Sequence, residues 1–269
     1  MSDNPLIQKM QKIIPATTIR LPSRGLFYKN DELNEEVSDG EIVLYPMTTL
    51  DEIIIRSPDM LFQGSAIDKV IKRCAPQVHK PVELLSKDID FILIQLRKIS
   101  YGDELLISFK CPTTEDSDNL EYTMNINYLL HKSKELDAGD LARYTITLSN
   151  GMSINLRPSK FNEILKMNQI DDETKTPEEL EEIITLSIIA VINDVDGIND
   201  RDTIQDWLKV LSIKDMKEII DKISDANNYG PDFSYKINCK DCGKEHDVTY
   251  ILNPVSFFTL PSSRKTNQD

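Results

Sequence analysis

The residues best suited to chemistry in this sequence are two cysteines, Cys239 and Cys242, separated by two positions. Two thiolates at this spacing can bind one metal ion from a tight turn, and Gly243 can adopt the positive φ angle that such a turn needs. The flanking segments 233–237 and 248–252 have strand-like compositions, so we predict a zinc-ribbon-like knuckle between two strands. A structural zinc ion requires four ligands, and this knuckle supplies two.

Further ligands would have to come from other positions. His246 is one candidate, and Cys111 is another if the segment around it faces the knuckle. That segment has a similar layout, but Thr114 stands where a second cysteine would be expected. Two interpretations are therefore open: bound zinc, or a knuckle that keeps its turn geometry without metal and with reduced thiols. We expect no other cofactor.

Similar segments in the two parts of the chain indicate an internal repeat. The matching pairs are Cys111 and Cys239, Tyr101-Gly102 and Tyr229-Gly230, and the strand-to-proline segments 42–46 and 154–158. The cysteines and the tyrosine-glycine pairs share one separation of 128 positions. A period this long favours tandem duplication of a small domain over a solenoid. Chance similarity between short apolar patterns is the alternative.

The predicted fold class is α+β, with two related modules that each combine helices with a β-hairpin. Residues 19–130 form the first module, whose hairpin carries a degenerate knuckle, and residues 141–260 form the second, which carries the Cys-x2-Cys knuckle. A charged linker at 131–140 separates them. An N-terminal arm at 1–18 and a polar tail at 261–269 complete the chain.

Three local patterns allow sharper predictions. Asn150-Gly151 lies between alternating segments, which is typical of a type I′ hairpin turn. Residues 176–179 combine a capping threonine, proline and two glutamates, so a helix should begin there and run to 193. Phe257-Phe258 either fills a core or forms a docking peptide, and the cost of exposing such a surface favours the core.

Composition and charge exclude several classes of function. Asp and Glu total 45 against 31 Lys and Arg, a formal charge of −14 that repels phosphate backbones, so we expect no nucleic-acid partner. The most apolar stretch, 183–192, is interrupted by polar residues and is too short to cross a bilayer, so we expect no membrane partner. Four cysteines with one close pair do not make a disulfide framework, which favours a reducing cytoplasm.

Signals for catalysis are weak. The sequence has no Gly-rich phosphate loop, no Gly-x-Ser-x-Gly elbow and no His-Glu-x-x-His motif. The three histidines, His79, His131 and His246, lie in polar surroundings typical of loops or turns. We therefore predict a protein that is not an enzyme, although a triad assembled only in space is an open alternative.

Several short segments carry a family resemblance through their order and spacing. They are Leu21-Pro22-Ser23-Arg24-Gly25, Tyr45-Pro46-Met47-Thr48 with Asp51-Glu52, Leu96-Arg97, Tyr101-Gly102, Asp196-Gly197 with Trp207-Leu208, Cys239-Lys240-Asp241-Cys242-Gly243, and Phe257-Phe258 with Pro261-Ser262. With them the chain resembles the baseplate hub assembly proteins of T4-type contractile-tailed bacteriophages. Thr114 departs from a first hairpin with two cysteines and leaves a metal role there open.

The resemblance implies a non-enzymatic protein that builds the central hub of the tail baseplate, as a minor hub subunit or as an assembly chaperone. It implies phage baseplate hub or tape-measure proteins as partners. It also implies a location in the host cytoplasm during assembly and, for a subunit, in the virion tail baseplate. The alternative is a zinc-ribbon regulatory or nucleic-acid-associated protein, which the knuckle alone supports. The oligomeric state is open.

Overall fold

A computed structural model describes residues 16–29, 31–57, 59–60, 64–114, 119–168, 176–250, 252 and 257–258. Short helices are combined with small antiparallel sheets, which confirms the predicted α+β class. The helices are α1 Thr49–Ile55, α2 Ser65–Cys74, α3 Ser86–Tyr101, α4 Asn127–His131, α5 Phe161–Asn168, α6 Pro177–Val191, α7 Arg201–Leu208 and α8 Ile213–Ala226. The strands are β1 Thr17–Arg20, β2 Glu41–Leu44, β3 Glu104–Lys110, β4 Asn119–Asn125, β5 Thr145–Thr147, β6 Ser153–Leu156, β7 Ile192–Val195, β8 Ser234–Asn238 and β9 Glu245–Thr249.

The described strands form four sheets. Three of them are two-stranded and pair β1 with β2, β3 with β4, and β8 with β9. The fourth has the order β5-β6-β7. Within the described residues, no helix has both the length and the apolar composition that a membrane crossing requires.

Two hydrophobic clusters make up most of the interior. The larger one combines side chains of β1 to β4 and α1 to α4 with side chains of β8, and it includes Phe257 and Phe258. The smaller one combines β5 to β7 with α6, α7 and α8. The hairpin that closes the second half of the chain therefore packs against the core of the first half. The predicted module boundaries, with a linker at 131–140, stay a prediction.

The ends of the chain are described only in part. Most of the predicted N-terminal arm at 1–18 and all of the predicted tail at 261–269 lie outside the described residues, and Thr17 already belongs to β1. Phe257 and Phe258 are fully buried, and their rings contact each other edge to face at a centroid distance of 5.2 Å. This burial confirms that the aromatic pair is part of the core.

The predicted helix start at residue 176 is confirmed. The Thr176 hydroxyl accepts the Glu179 N–H at 3.3 Å, and the Glu179 carboxylate accepts the Thr176 N–H at 2.8 Å, which together form a capping box. The helix ends at Val191, before the predicted end at 193, and the chain then enters β7, a strand that the sequence pattern did not predict. Pairing with β6 places Ile192 opposite Leu156, so tertiary contacts decide this conformation.

The hairpin around Asn150-Gly151 is confirmed, but the predicted type I′ turn is wrong. A type I′ turn needs positive φ at both central residues. Gly151 has a φ of 87°, whereas Asn150 is not among the residues with positive φ. The Gly151 N–H instead donates to the Leu148 carbonyl at 2.9 Å, and the Asp215 carboxylate accepts the hydroxyl of Ser149 at 2.6 Å.

A buried carboxylate on α3 anchors the segment that follows β1. Asp88 is fully buried and accepts hydrogen bonds from the Ser23 N–H at 2.9 Å, from the Ser23 hydroxyl and from the Tyr28 hydroxyl at 2.6 Å. The Tyr28 hydroxyl in turn accepts the Leu85 N–H at 2.8 Å. Burial raises the pKa of Asp88 from 3.8 to about 6, and the hydrogen bonds from Ser23 and Tyr28 oppose this rise.

We predict that Asp88→Asn removes part of the pH dependence of the free energy of unfolding. Because the pKa of Asp88 is higher in the folded than in the unfolded protein, the folded state binds more protons, and stability falls as the pH rises from about 4 through about 6. A shift of about two pKa units corresponds to roughly 3 kcal/mol.

Chemical denaturation of both proteins across this pH range measures the difference. The matched control is Asp206→Asn, which changes an exposed carboxylate and should keep the wild-type pH dependence. An Asp88→Asn protein with the full wild-type pH dependence would contradict the assignment.

Candidate metal centre

The two predicted knuckles lie side by side because their hairpins share one core. In β3, the inward-facing residues Leu105, Ile107 and Phe109 alternate with exposed ones. In β8, Tyr235 and Ile237 alternate in the same way, and all five side chains belong to the larger hydrophobic cluster. The segment around Cys111 therefore faces the second knuckle, which is the condition for Cys111 to serve as a further ligand.

Polar and aromatic contacts also cross between the hairpins. The Lys240 N–H donates to the Tyr122 hydroxyl at 2.9 Å, and the Lys240 ammonium lies 4.8 Å from the centroid of the Tyr122 ring. Between β3 and β9, the rings of Phe109 and His246 have centroids 5.5 Å apart. These contacts fix the β3–β4 hairpin against the turn of the β8–β9 hairpin.

Four potential metal ligands converge where the hairpins meet. The ligand atoms of Cys111, Cys239, Cys242 and His246 all lie within 4.8 Å of one another. The Cys242 Sγ is 3.1 Å from the His246 Nε2, and the Cys111 Sγ is 4.0 Å from the same nitrogen. Cys239 and Cys242, which their spacing had indicated, therefore lie next to two further candidates. These are Cys111 from the other hairpin and His246 from β9.

His246 differs from its predicted setting. Its polar surroundings predicted a loop or turn, whereas it lies in β9 and pairs with Ile237 of β8. Its position in the strand directs its ring toward the knuckle and toward Phe109. The remaining cysteine, Cys74, is buried in the core and is not part of this group.

The turn of the second knuckle has the predicted geometry. Gly243 has a φ of 68°, its N–H donates to the Cys239 carbonyl at 2.9 Å, and the Cys239 N–H donates to the Lys244 carbonyl at 2.9 Å. A Cβ at Gly243 would meet no neighbouring atom within 4 Å, so the backbone conformation, and not the available space, favours glycine there.

Hydrogen-bond donors surround the sulfur atoms. The Lys244 N–H and the Thr113 hydroxyl lower the pKa of Cys242 from 9.0 to about 7. The Thr113 and Thr114 hydroxyls lower the pKa of Cys111, and Thr114 Oγ1 lies 3.5 Å from the Cys111 Sγ. Thr114, at the position where a second cysteine was expected, therefore contacts the sulfur of the first. These donors favour the thiolate forms of Cys242 and Cys111, and the thiolate is the form in which cysteine binds metal. The pKa of Cys239 is raised instead, because the N–H groups of Cys242 and Asp241 lower it less than burial and the other two sulfur atoms raise it.

An exposed apolar groove lies away from the cysteine group, between α5 and α6. The groove has a volume of about 370 Å³ and is lined by Lys166, Met167, Ile183, Leu186 and Ala190, among others. Met167 is 45% exposed and Leu186 is 49% exposed. Soluble proteins seldom leave adjacent large apolar side chains uncovered without a binding role.

The pattern of one protein family, described as T4 bacteriophage base plate protein, matches residues 30–259. The chain belongs to this family. No curated protein and no solved structure matches it. Membership confirms the resemblance to T4-type baseplate proteins and gives the chain a structural or assembly role in the phage tail. It also implies contacts with other base plate proteins and a location in the virion tail.

We predict that Tyr122→Phe weakens the contact between the hairpins by about 1 kcal/mol, because the Lys240 N–H loses its acceptor while the ring stays in place. The melting temperature of the base plate protein should fall by roughly 2–4 °C in thermal unfolding. Tyr45→Phe is the matched control because it removes the hydroxyl of an exposed tyrosine, and it should leave the melting temperature unchanged. Equal melting temperatures for both variants would show that the hydrogen bond contributes nothing.

Proposed function

We propose that the protein builds the central hub of the tail base plate by binding other hub proteins, as a minor hub subunit or as an assembly chaperone. The observation that carries this proposal is the family match over residues 30–259. The order of short segments along the sequence, which resembles that of baseplate hub assembly proteins, supports the hub as the site of action.

In this proposal the protein works by binding and not by catalysis. The buried Asp88 accepts hydrogen bonds from Ser23 and Tyr28. The group of three cysteines and His246 lies where two hairpins meet. Both arrangements are suited to holding the fold together. The zinc-ribbon-like knuckles are then parts of the framework that shapes the binding surface.

The groove between α5 and α6 supplies a surface for a partner. Met167 and Leu186 offer apolar area, and the exposed Lys166 offers a positive charge beside it. A short apolar segment of a hub or tape-measure protein fits a surface of this kind. The formal charge of −14 opposes self-association, which suits a chain that must hold a partner without aggregating.

We predict that a phage lacking this chain forms no complete base plates, and that a plasmid copy restores them. Electron microscopy of lysates and plaque counts measure the effect. Mass spectrometry of purified virions then separates the two roles, because a hub subunit stays in the particle and a chaperone does not. Normal tails without the chain would contradict both roles. Tight, salt-sensitive binding of the purified protein to DNA would favour the zinc-ribbon nucleic-acid alternative.

We predict that Leu186→Glu reduces recovery of the hub or tape-measure partner in co-expression by about tenfold, because a charge replaces apolar contact area in the groove. The matched control is Val210→Glu, since Val210 is 80% exposed and lies outside the groove lining. It should retain binding within a factor of about two. Circular dichroism verifies that both variants fold. Full binding by a folded Leu186→Glu protein would exclude the groove as the docking surface.

A further inference from the structure

The ligand set at the hairpin junction has the chemistry of a closed structural metal site. Three cysteine sulfur atoms and one imidazole nitrogen make one of the sets that zinc uses in four-coordinate structural sites. Cys111 and Cys239 are buried, and Cys242 and His246 are half-buried. A soft, sulfur-rich and tetrahedral set favours zinc over magnesium or calcium, which prefer oxygen ligands.

The distances fit one central ion. Zinc bonds of about 2.3 Å to sulfur and about 2.0 Å to nitrogen place tetrahedral ligand atoms roughly 3.5–3.8 Å apart. The ligand atoms here lie within 4.8 Å of one another, and the sulfur-to-nitrogen separations from His246 Nε2 are 3.1 Å to Cys242 and 4.0 Å to Cys111. Side-chain movements of under about 1 Å would bring all four atoms to bonding distance.

We propose that Cys111, Cys239, Cys242 and His246 bind one Zn²⁺ ion, which joins the β3–β4 hairpin to the β8–β9 hairpin. The cysteines bind as thiolates and His246 binds through Nε2 as neutral imidazole. The fourth ligand comes from β9 and not from the position of Thr114 in the first knuckle. The site is therefore a ribbon-like pair of knuckles in which a histidine from the facing hairpin occupies the fourth ligand position.

The arrangement around the ligands supports this assignment. The ring of Phe109 packs beside His246 and restricts the orientation of the imidazole. The Tyr122 hydroxyl holds the backbone of the second knuckle at Lys240. Both contacts limit the movement of the segments that carry the ligands. The proposal goes beyond the hub function, because the metal would stabilise the fold whichever partner the protein binds.

The test is the metal content of the full chain, produced without a polyhistidine tag in zinc-supplemented medium. Elemental analysis by mass spectrometry should find about one zinc ion per chain. Cys242→Ser and His246→Ala should lower the zinc content at least about fivefold, and His246→Cys should restore it, because a set of four cysteines also holds zinc. Cys74→Ala is the matched control and should keep the full content, since Cys74 lies outside the group.

A second measurement does not depend on the folding of variants. Removing zinc from the wild-type protein with a chelator should lower its melting temperature by at least about 5 °C, and added zinc should reverse the change. Cobalt added to the stripped protein should give the visible spectrum of a tetrahedral site with sulfur ligands. A wild-type protein with less than about one-tenth of a zinc ion per chain, with iron in its place, or with a disulfide between two of the three cysteines would overturn the proposal.

Discussion

Burial of apolar side chains between the two hairpins is the interaction on which the rest of the structure depends. Tyr235 and Ile237 of β8 share a cluster with Ile107 and Phe109 of β3, although these strands are distant in the sequence. A two-stranded hairpin is at best marginally stable alone, because one of its faces has nothing to pack against. Packing the two hairpins together covers the apolar face of each, while the alternate residues stay exposed, and it brings the cysteines within contact distance.

The segments near both ends of the described chain also pack against this core. The Asp88 carboxylate fixes the backbone at Ser23, and Phe257 and Phe258 fill space beside Tyr250 and Tyr101. These contacts tie distant segments into one framework, whereas the apolar groove between α5 and α6 lies open at the surface. This combination of a tied framework and an uncovered apolar surface is compatible with a structural or assembly role in the base plate.

Local features were predictable from the sequence where short-range chemistry decides the conformation. The knuckle turn at Gly243 and the capping box at Thr176 depend on residues within a few positions of one another. The Asn150-Gly151 segment predicted a hairpin correctly but gave the wrong turn type, because hydrogen bonds from Ser149 to Asp215 help to shape the loop. β7 was missed because Ile192 follows a helical pattern directly and becomes a strand only through pairing with β6.

The sequence by itself was enough to predict the second knuckle with Cys239 and Cys242 and the two strands that flank it. It was also enough to predict the family to which the chain belongs. It also offered Cys111 and His246 as candidates, but it could not place them. Only the tertiary structure decided that they join Cys239 and Cys242. The reason is physical: ligand spacing within a turn is a local property, whereas the facing of two hairpins depends on burial shared between distant segments.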